Sequence, residues 1–120
     1  IYLHIGSLAV KVTPDKAANR SFLIDPHGEI AARYDKIHMF DVDLGGGESY
    51  RESANYQPGS RAVLADLPWG KLGLSICYDL RFPELYRILA LEAGDFEKAV
   101  VLLNRLLDPL TPKQAAWRGW

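Results

Sequence analysis

The segment KLGLSICYDLRFPELYR, residues 71–87, changes its hydrophobic period at the only cysteine of the chain, Cys77. Before it, KLGLSIC is apolar enough for a central strand. After it, Pro83 suits the first turn of a helix, where a missing N–H costs nothing. Leu85, Ile88 and Leu89 continue at helical spacing. A strand that ends on a cysteine and turns into a helix points to an α/β (α+β) layered fold, with the cysteine at the rim of a sheet.

Other segments fit that class. Residues 3–12 (LHIGSLAVKV) have the composition of a buried strand, and residues 13–20 are polar and turn-rich. RSFLI, the turn Asp25-Pro26-His27-Gly28 and EIAARYDK predict a hairpin over 20–36. On its return strand Ile30, Ala32 and Tyr34 share a face, and Lys36 continues that parity. A second hairpin, 62–77, turns at Pro68-Trp69-Gly70. Between them Phe40–Arg61, with three consecutive glycines, predicts a long loop. At the other end Phe96, Val100, Leu103 and Leu107 form a stripe that predicts a helix over 95–107, stopped by Asp108-Pro109. The 120 residues are enough for one domain. They start without methionine inside a strand and end just after an apolar stretch, so the chain is expected to be incomplete at both ends.

Composition narrows the function. A formal net charge of −1, with acids and bases interspersed, argues against a nucleic-acid or membrane-surface partner. No apolar run reaches transmembrane length, and no signal-peptide pattern opens these residues. A single cysteine cannot form an internal disulfide, which fits a reducing, cytoplasmic setting. His4, His27 and His38 are scattered without ligand spacing, so no metal is expected. The glycines at 45–47 lack the context of a phosphate loop, and no cofactor is expected.

Four residues carry candidate chemistry or stand close to it. Cys77 at a strand-to-helix turn has backbone N–H groups that stabilise a thiolate and hold an oxyanion; a buried structural thiol is the commoner fate of a lone cysteine. Lys36 is either a snorkelling surface residue or a cation aimed at a site. Glu52, in the loop sequence YRES, is on its own a solvated loop glutamate. Asp79, with Arg81 and Glu84, is best explained as a polar set that fixes the turn after Cys77 and caps the helix.

Taken together, RYDKIHMFDVD, a Gly-rich loop with YRES and QPG, and GLSICYDLRFPELYR resemble the nitrilase, or carbon–nitrogen hydrolase, superfamily over residues 1–94. The nearest branch in motif is that of the omega-amidases and deaminated glutathione amidases. The resemblance implies part of an α-β-β-α sandwich and a Glu–Lys–Cys triad. In that triad Cys77 matches the nucleophile and Lys36 the lysine. Glu52 matches an additional glutamate that supports the lysine, and the Tyr78 backbone N–H joins the oxyanion hole. It also implies a small amide substrate, no cofactor and a homodimer.

Two departures accompany the resemblance. The general-base glutamate of the family lies upstream of the matched segments. Beyond Gly94 the family continues with a core strand, whereas AGDFEKAVVLLNRLLDP here has the period of an amphipathic helix and slightly resembles a tetratricopeptide helix. The expected division is therefore 1–94, a partial carbon–nitrogen hydrolase domain, and 95–120, a divergent helical segment. The two functional expectations are a cysteine-dependent amidase that is inactive as this piece, and a catalytically dead remnant or interaction module.

Overall fold

The computed structural model describes residues 1–94 and, for the backbone, 99–104. Three antiparallel strands come first, β1 (Leu3–Lys11), β2 (Ala17–Ile24) and β3 (Ile30–Asp35), in the order β1-β2-β3. The turn between β2 and β3 is locked by Asp25, whose carboxylate accepts the N–H groups of His27 and Glu29. These bonds, that from Glu29 foremost, hold the carboxyl of Asp25 below the usual range. Both predicted hairpins are present. The second is β6 (Leu64–Leu67) with β7 (Gly70–Ile76), joined at Pro68-Trp69.

The two sheets face each other. Leu23 and Tyr34 from the first pack with Ala65, Leu72, Leu74 and Ile76 from the second. Helix α1 (Pro83–Ala93) begins with Pro83 at its first position and lays Leu85, Leu89 and Ala93 against the far side of β7. Gly73 on β7 admits this approach, since a Cβ there would stand 3.0 Å from Leu89 Cδ1. The layers are thus helix, sheet, sheet.

Two expectations are corrected. Residues 99–104 are not helical: they form β8 (Ala99–Asn104), parallel to β7, with Lys71 opposite Ala99 and Ile76 opposite Asn104. The apolar stripe suits a helix, but AVVLLN is also an unbroken apolar run with adjacent β-branched valines. Such a run suits a strand of a parallel sheet. Once α1 carries the chain back along β7, pairing with that strand's open edge satisfies the backbone, and this outweighs the helical period. The rest of the predicted helix, 95–98 and 105–107, lies outside the described residues.

The second correction concerns the long loop. Residues 41–51 form a hairpin, β4 (Asp41–Gly45) with β5 (Glu48–Arg51), followed by a 3-10 turn at Glu52–Ala54. Gly46 and Gly47 form its tip at φ +63° and +87°. A type I′ two-residue hairpin turn needs two such positive values, so the glycines there shape a turn. Arg51 braces the hairpin with two 2.8 Å bonds to the carboxylate of Asp43.

Candidate active site

Lys36 follows β3 and is almost wholly buried, at 2% exposure. It therefore does not snorkel to water. Its main chain is held on both sides: its N–H donates to Asn19 O at 2.9 Å, and its carbonyl accepts the Gly59 N–H at 2.8 Å. Gly59 is needed for that approach, because a Cβ would lie 2.3 Å from Asp35 O. Asp35, the neighbour of Lys36, turns the other way and pairs with Arg20 through two bonds of 2.5 and 2.8 Å.

The ammonium of Lys36 meets Glu52 Oε2 at 2.6 Å. The same oxygen accepts the Phe40 N–H, also at 2.6 Å. Glu52 is fixed as well: its N–H donates to Phe40 O, and its carbonyl accepts the N–H groups of Asn55 and Tyr56. The 3-10 turn after β5 thus aims this glutamate inward. Alone it has the sequence of a solvated loop residue; in the fold it is the partner of a buried cation.

Cys77 ends β7. It is exposed, and its φ of +50° is the only positive value among the described non-glycine residues. A non-glycine residue in the left-handed region is strained and needs support from its surroundings. The sequence places the cysteine directly at a helix N-terminus; instead it opens a 3-10 turn, Cys77–Arg81, and α1 begins only at Pro83. The first N–H groups of that turn, Tyr78 among them, have no partner within it. They remain suited to an oxyanion, without the dipole of a long helix.

Asp79 ties the two segments together. It is fully buried, and its side chain makes four polar contacts. Oδ2 takes the Tyr34 hydroxyl at 2.6 Å and the Ile76 N–H at 3.0 Å. Oδ1 takes the His38 N–H at 3.0 Å and lies 2.7 Å from His38 Nδ1. Tyr34 and His38 flank Lys36, while Ile76 precedes Cys77, so one carboxylate brings the lysine segment and the cysteine turn to the same rim. Burial first, and the Asp79 bond second, push the Tyr34 phenol well above its ordinary value.

Aromatic rings close the same seam. His38 stacks on Phe82 at 3.6 Å, Phe40 meets Tyr78 edge-on at 5.0 Å, and Tyr78 meets Phe82 edge-on at 5.3 Å. The sequence points to Asp79 as a support of the turn, and it does hold the Ile76 N–H there. Sequence reasoning missed the reach of Asp79 to Tyr34 and His38. The shared parity of Tyr34 and Lys36 puts them on one face, but no local pattern ties either to Asp79. Among the described residues, no group of three or more His, Cys, Asp or Glu side chains could hold a metal ion.

Comparison with known proteins identifies the family. The carbon–nitrogen hydrolase family model matches residues 1–116 and so runs past Gly94. A deaminated glutathione amidase from Yersinia enterocolitica is 45% identical over 98 residues, covering 79% of this chain and 34% of that protein. Human omega-amidase NIT2 is 40% identical over 90 residues, covering 75% of this chain and 32% of the relative. The chain thus spans about a third of the length of these relatives. An amidase from Nesterenkonia sp. AN1, in a structure with acrylamide added at its active-site cysteine, superposes with a TM-score of 0.65 at 30% identity. That match covers 87% of this chain and 36% of the amidase. The chain belongs to the carbon–nitrogen hydrolase family.

Proposed function

We propose that these residues carry the nucleophile and the oxyanion-stabilising part of an enzyme that hydrolyses small linear carboxamides to an acid and ammonia. The observation that carries this reading is the pairing of buried Lys36 with Glu52, on a segment that Asp79 ties to the Cys77 turn. The Cys77 thiolate attacks the amide carbonyl. The Lys36 ammonium and the Tyr78 N–H stabilise the oxyanion. The C–N bond then breaks, the nitrogen leaves as ammonia with the proton taken from the thiol, and a thioester remains. Water hydrolyses the thioester and returns the thiol.

In this reading Glu52 holds Lys36 in place. The carboxylate that shuttles the proton is supplied by a glutamate from the family's upstream segment. The relatives' names, deaminated glutathione amidase and omega-amidase, favour a linear substrate with its carboxamide at one end. A homodimer and a reducing cytoplasmic setting complete the proposal, since an exposed catalytic thiol must stay reduced.

The test is ammonia release from a small ω-amide by the intact enzyme, with an acyl adduct on Cys77 trapped by acid quench and weighed by mass spectrometry. Cys77→Ala is expected to remove both signals. Ammonia release that survives Cys77→Ala would exclude the reading. Correct folding with no turnover and no adduct would favour an interaction module instead.

A further inference from the structure

We propose that Asp79 is a positioning residue that sets the register between Lys36 and Cys77, and so controls how strongly the lysine activates the thiol. The proposal rests on the reading of Cys77 as nucleophile and Lys36 as its cation.

Lys36 sits between the two residues that Asp79 grips, Tyr34 through its hydroxyl and His38 through its N–H and ring. The His38 ring adds a second contact to the same oxygen, Nδ1 lying 2.7 Å from Oδ1. On the other side Asp79 accepts the Ile76 N–H at 3.0 Å, which closes a ring of main chain around Cys77 and Tyr78. That ring props the φ of +50° at Cys77, a conformation that persists only where the surroundings impose it. Asp79 has no exposure, and a buried carboxylate stays in place only when its oxygens are bonded. These partners belong to the lysine segment or to the strand end that delivers Cys77, so neither can shift without breaking them.

The two oxygens divide the work. Oδ1 holds His38, beyond Lys36, while Oδ2 joins Tyr34 to Ile76, coupling the strand that precedes the lysine to the strand that delivers the thiol. An amide in place of the carboxylate keeps one acceptor and turns an NH2 toward the other pair of donors. Asp79→Asn therefore loosens one clamp while keeping volume. The titratable and charged groups gathered here include Lys36 and Glu52 on one side, and Tyr34, His38, Asp79 and, from α1, Tyr86 on the other.

Cys77 is the only thiol, so iodoacetamide labelling of the full chain, followed by mass spectrometry across pH 5–10, reports this site alone. Asp79→Asn is expected to lower the labelling rate near neutral pH about tenfold and to move the profile to higher pH, with the far-ultraviolet circular dichroism unchanged. A purely structural bond would leave the profile where it was. Adding Asp79→Asn to Lys36→Gln is expected to change little further, because the route through the lysine is already gone. A folded Asp79→Asn protein with the parental profile overturns the proposal, and so do independent, multiplying effects of the two substitutions. Where Asp79→Asn does not fold, Tyr34→Phe removes one donor to the same oxygen. It is expected to shift the profile in the same direction by a smaller step, about threefold in rate, and an unmoved profile again overturns the proposal. If Lys36→Gln alone leaves labelling unaltered, the lysine–thiol reading falls and this inference with it. If Lys36→Gln shifts the profile and Asp79→Asn does not, only this inference falls.

Discussion

The Lys36 ammonium and Glu52 Oε2 stand 2.6 Å apart, with side-chain exposures of only 3% and 15%. A pair so shielded from water is costly to break from one side, because the surviving charge stays buried without its partner. Glu52→Gln is therefore expected to destabilise the protein by about 3 kcal/mol. Replacing both members, Lys36→Met with Glu52→Gln, removes the stranded charge and should recover most of that loss. Urea unfolding of the three proteins checks this. A double variant no more stable than Glu52→Gln would mean that the lysine is not the group being stranded.

Alkaline pH probes the other clamp. Tyr34 is buried, and burial together with Asp79 keeps its phenol protonated in the fold beyond its ordinary range. A group whose folded value is raised contributes stability that is complete below the unfolded value, about 10 for tyrosine, and is lost as pH rises above it. Unfolding free energy measured from pH 8 to 11.5 should fall on the alkaline side. Tyr34→Phe should flatten that fall while costing about 1 kcal/mol at neutral pH, the value of a typical hydrogen bond. A fall unchanged in Tyr34→Phe would assign it to other groups, with Tyr86, also raised by burial, the first to test.

How much of this was legible beforehand depends on what each residue's role rests on. The Cys77 turn, both hairpins and the start of α1 depend on local signals: a period change, a turn dipeptide, a proline. Those were readable. Glu52 and Asp79 depend on contacts between distant segments, Glu52 with Lys36 and Phe40, Asp79 with Tyr34 and His38. Local pattern carries no trace of such contacts, so Glu52 drew its role from family resemblance and Asp79 was only partly seen. The glycine run at 45–47 misled because glycine serves a loose loop and a tight hairpin tip equally. The same ambiguity affected residues 99–104, where one apolar run fits two periods and the neighbouring strand decides.

Two glycines separate a backbone clash from a side-chain clash. A Cβ at Gly59 would stand 2.3 Å from Asp35 O, next to the main chain of Lys36. Main chain in a paired strand cannot yield, so Gly59→Ala should cost about 3 kcal/mol, the upper range for overpacking. It should also slow Cys77 labelling by moving the lysine segment. At Gly73 the obstacle is a methyl of Leu89 at 3.0 Å, which can rotate. Gly73→Ala should cost about 1 kcal/mol, the lower end of the same range. Thermal unfolding orders the two, and equal losses would mean that the 55–59 segment gives way more easily than its hydrogen bonds imply.

Hydrogen exchange distinguishes strand from helix at residues 99–104 without relying on their side chains. In a parallel pair every second residue turns its N–H toward the neighbouring strand, and the residues between turn it away. Among the described residues β8 has one neighbour, β7, and lies at the end of the order β6-β7-β8. Its amides should therefore be protected alternately. β7 lies between two strands, so its amides should be protected almost continuously, as expected for backbone bonded on both sides. An amphipathic helix over the same residues would instead protect consecutive amides, since each N–H bonds four residues back. Alternating protection supports β8. Unbroken protection from 99 to 104 would restore the helix suggested by the Phe96, Val100, Leu103, Leu107 stripe, or require a further strand on the outer edge. A single proline at Leu102 gives a second check on helix against edge strand. Inside a helix it removes a bond and clashes one turn back, at a cost of about 3 kcal/mol. On an edge strand it costs as much only if its N–H is one of those that face β7, and the alternation identifies which those are.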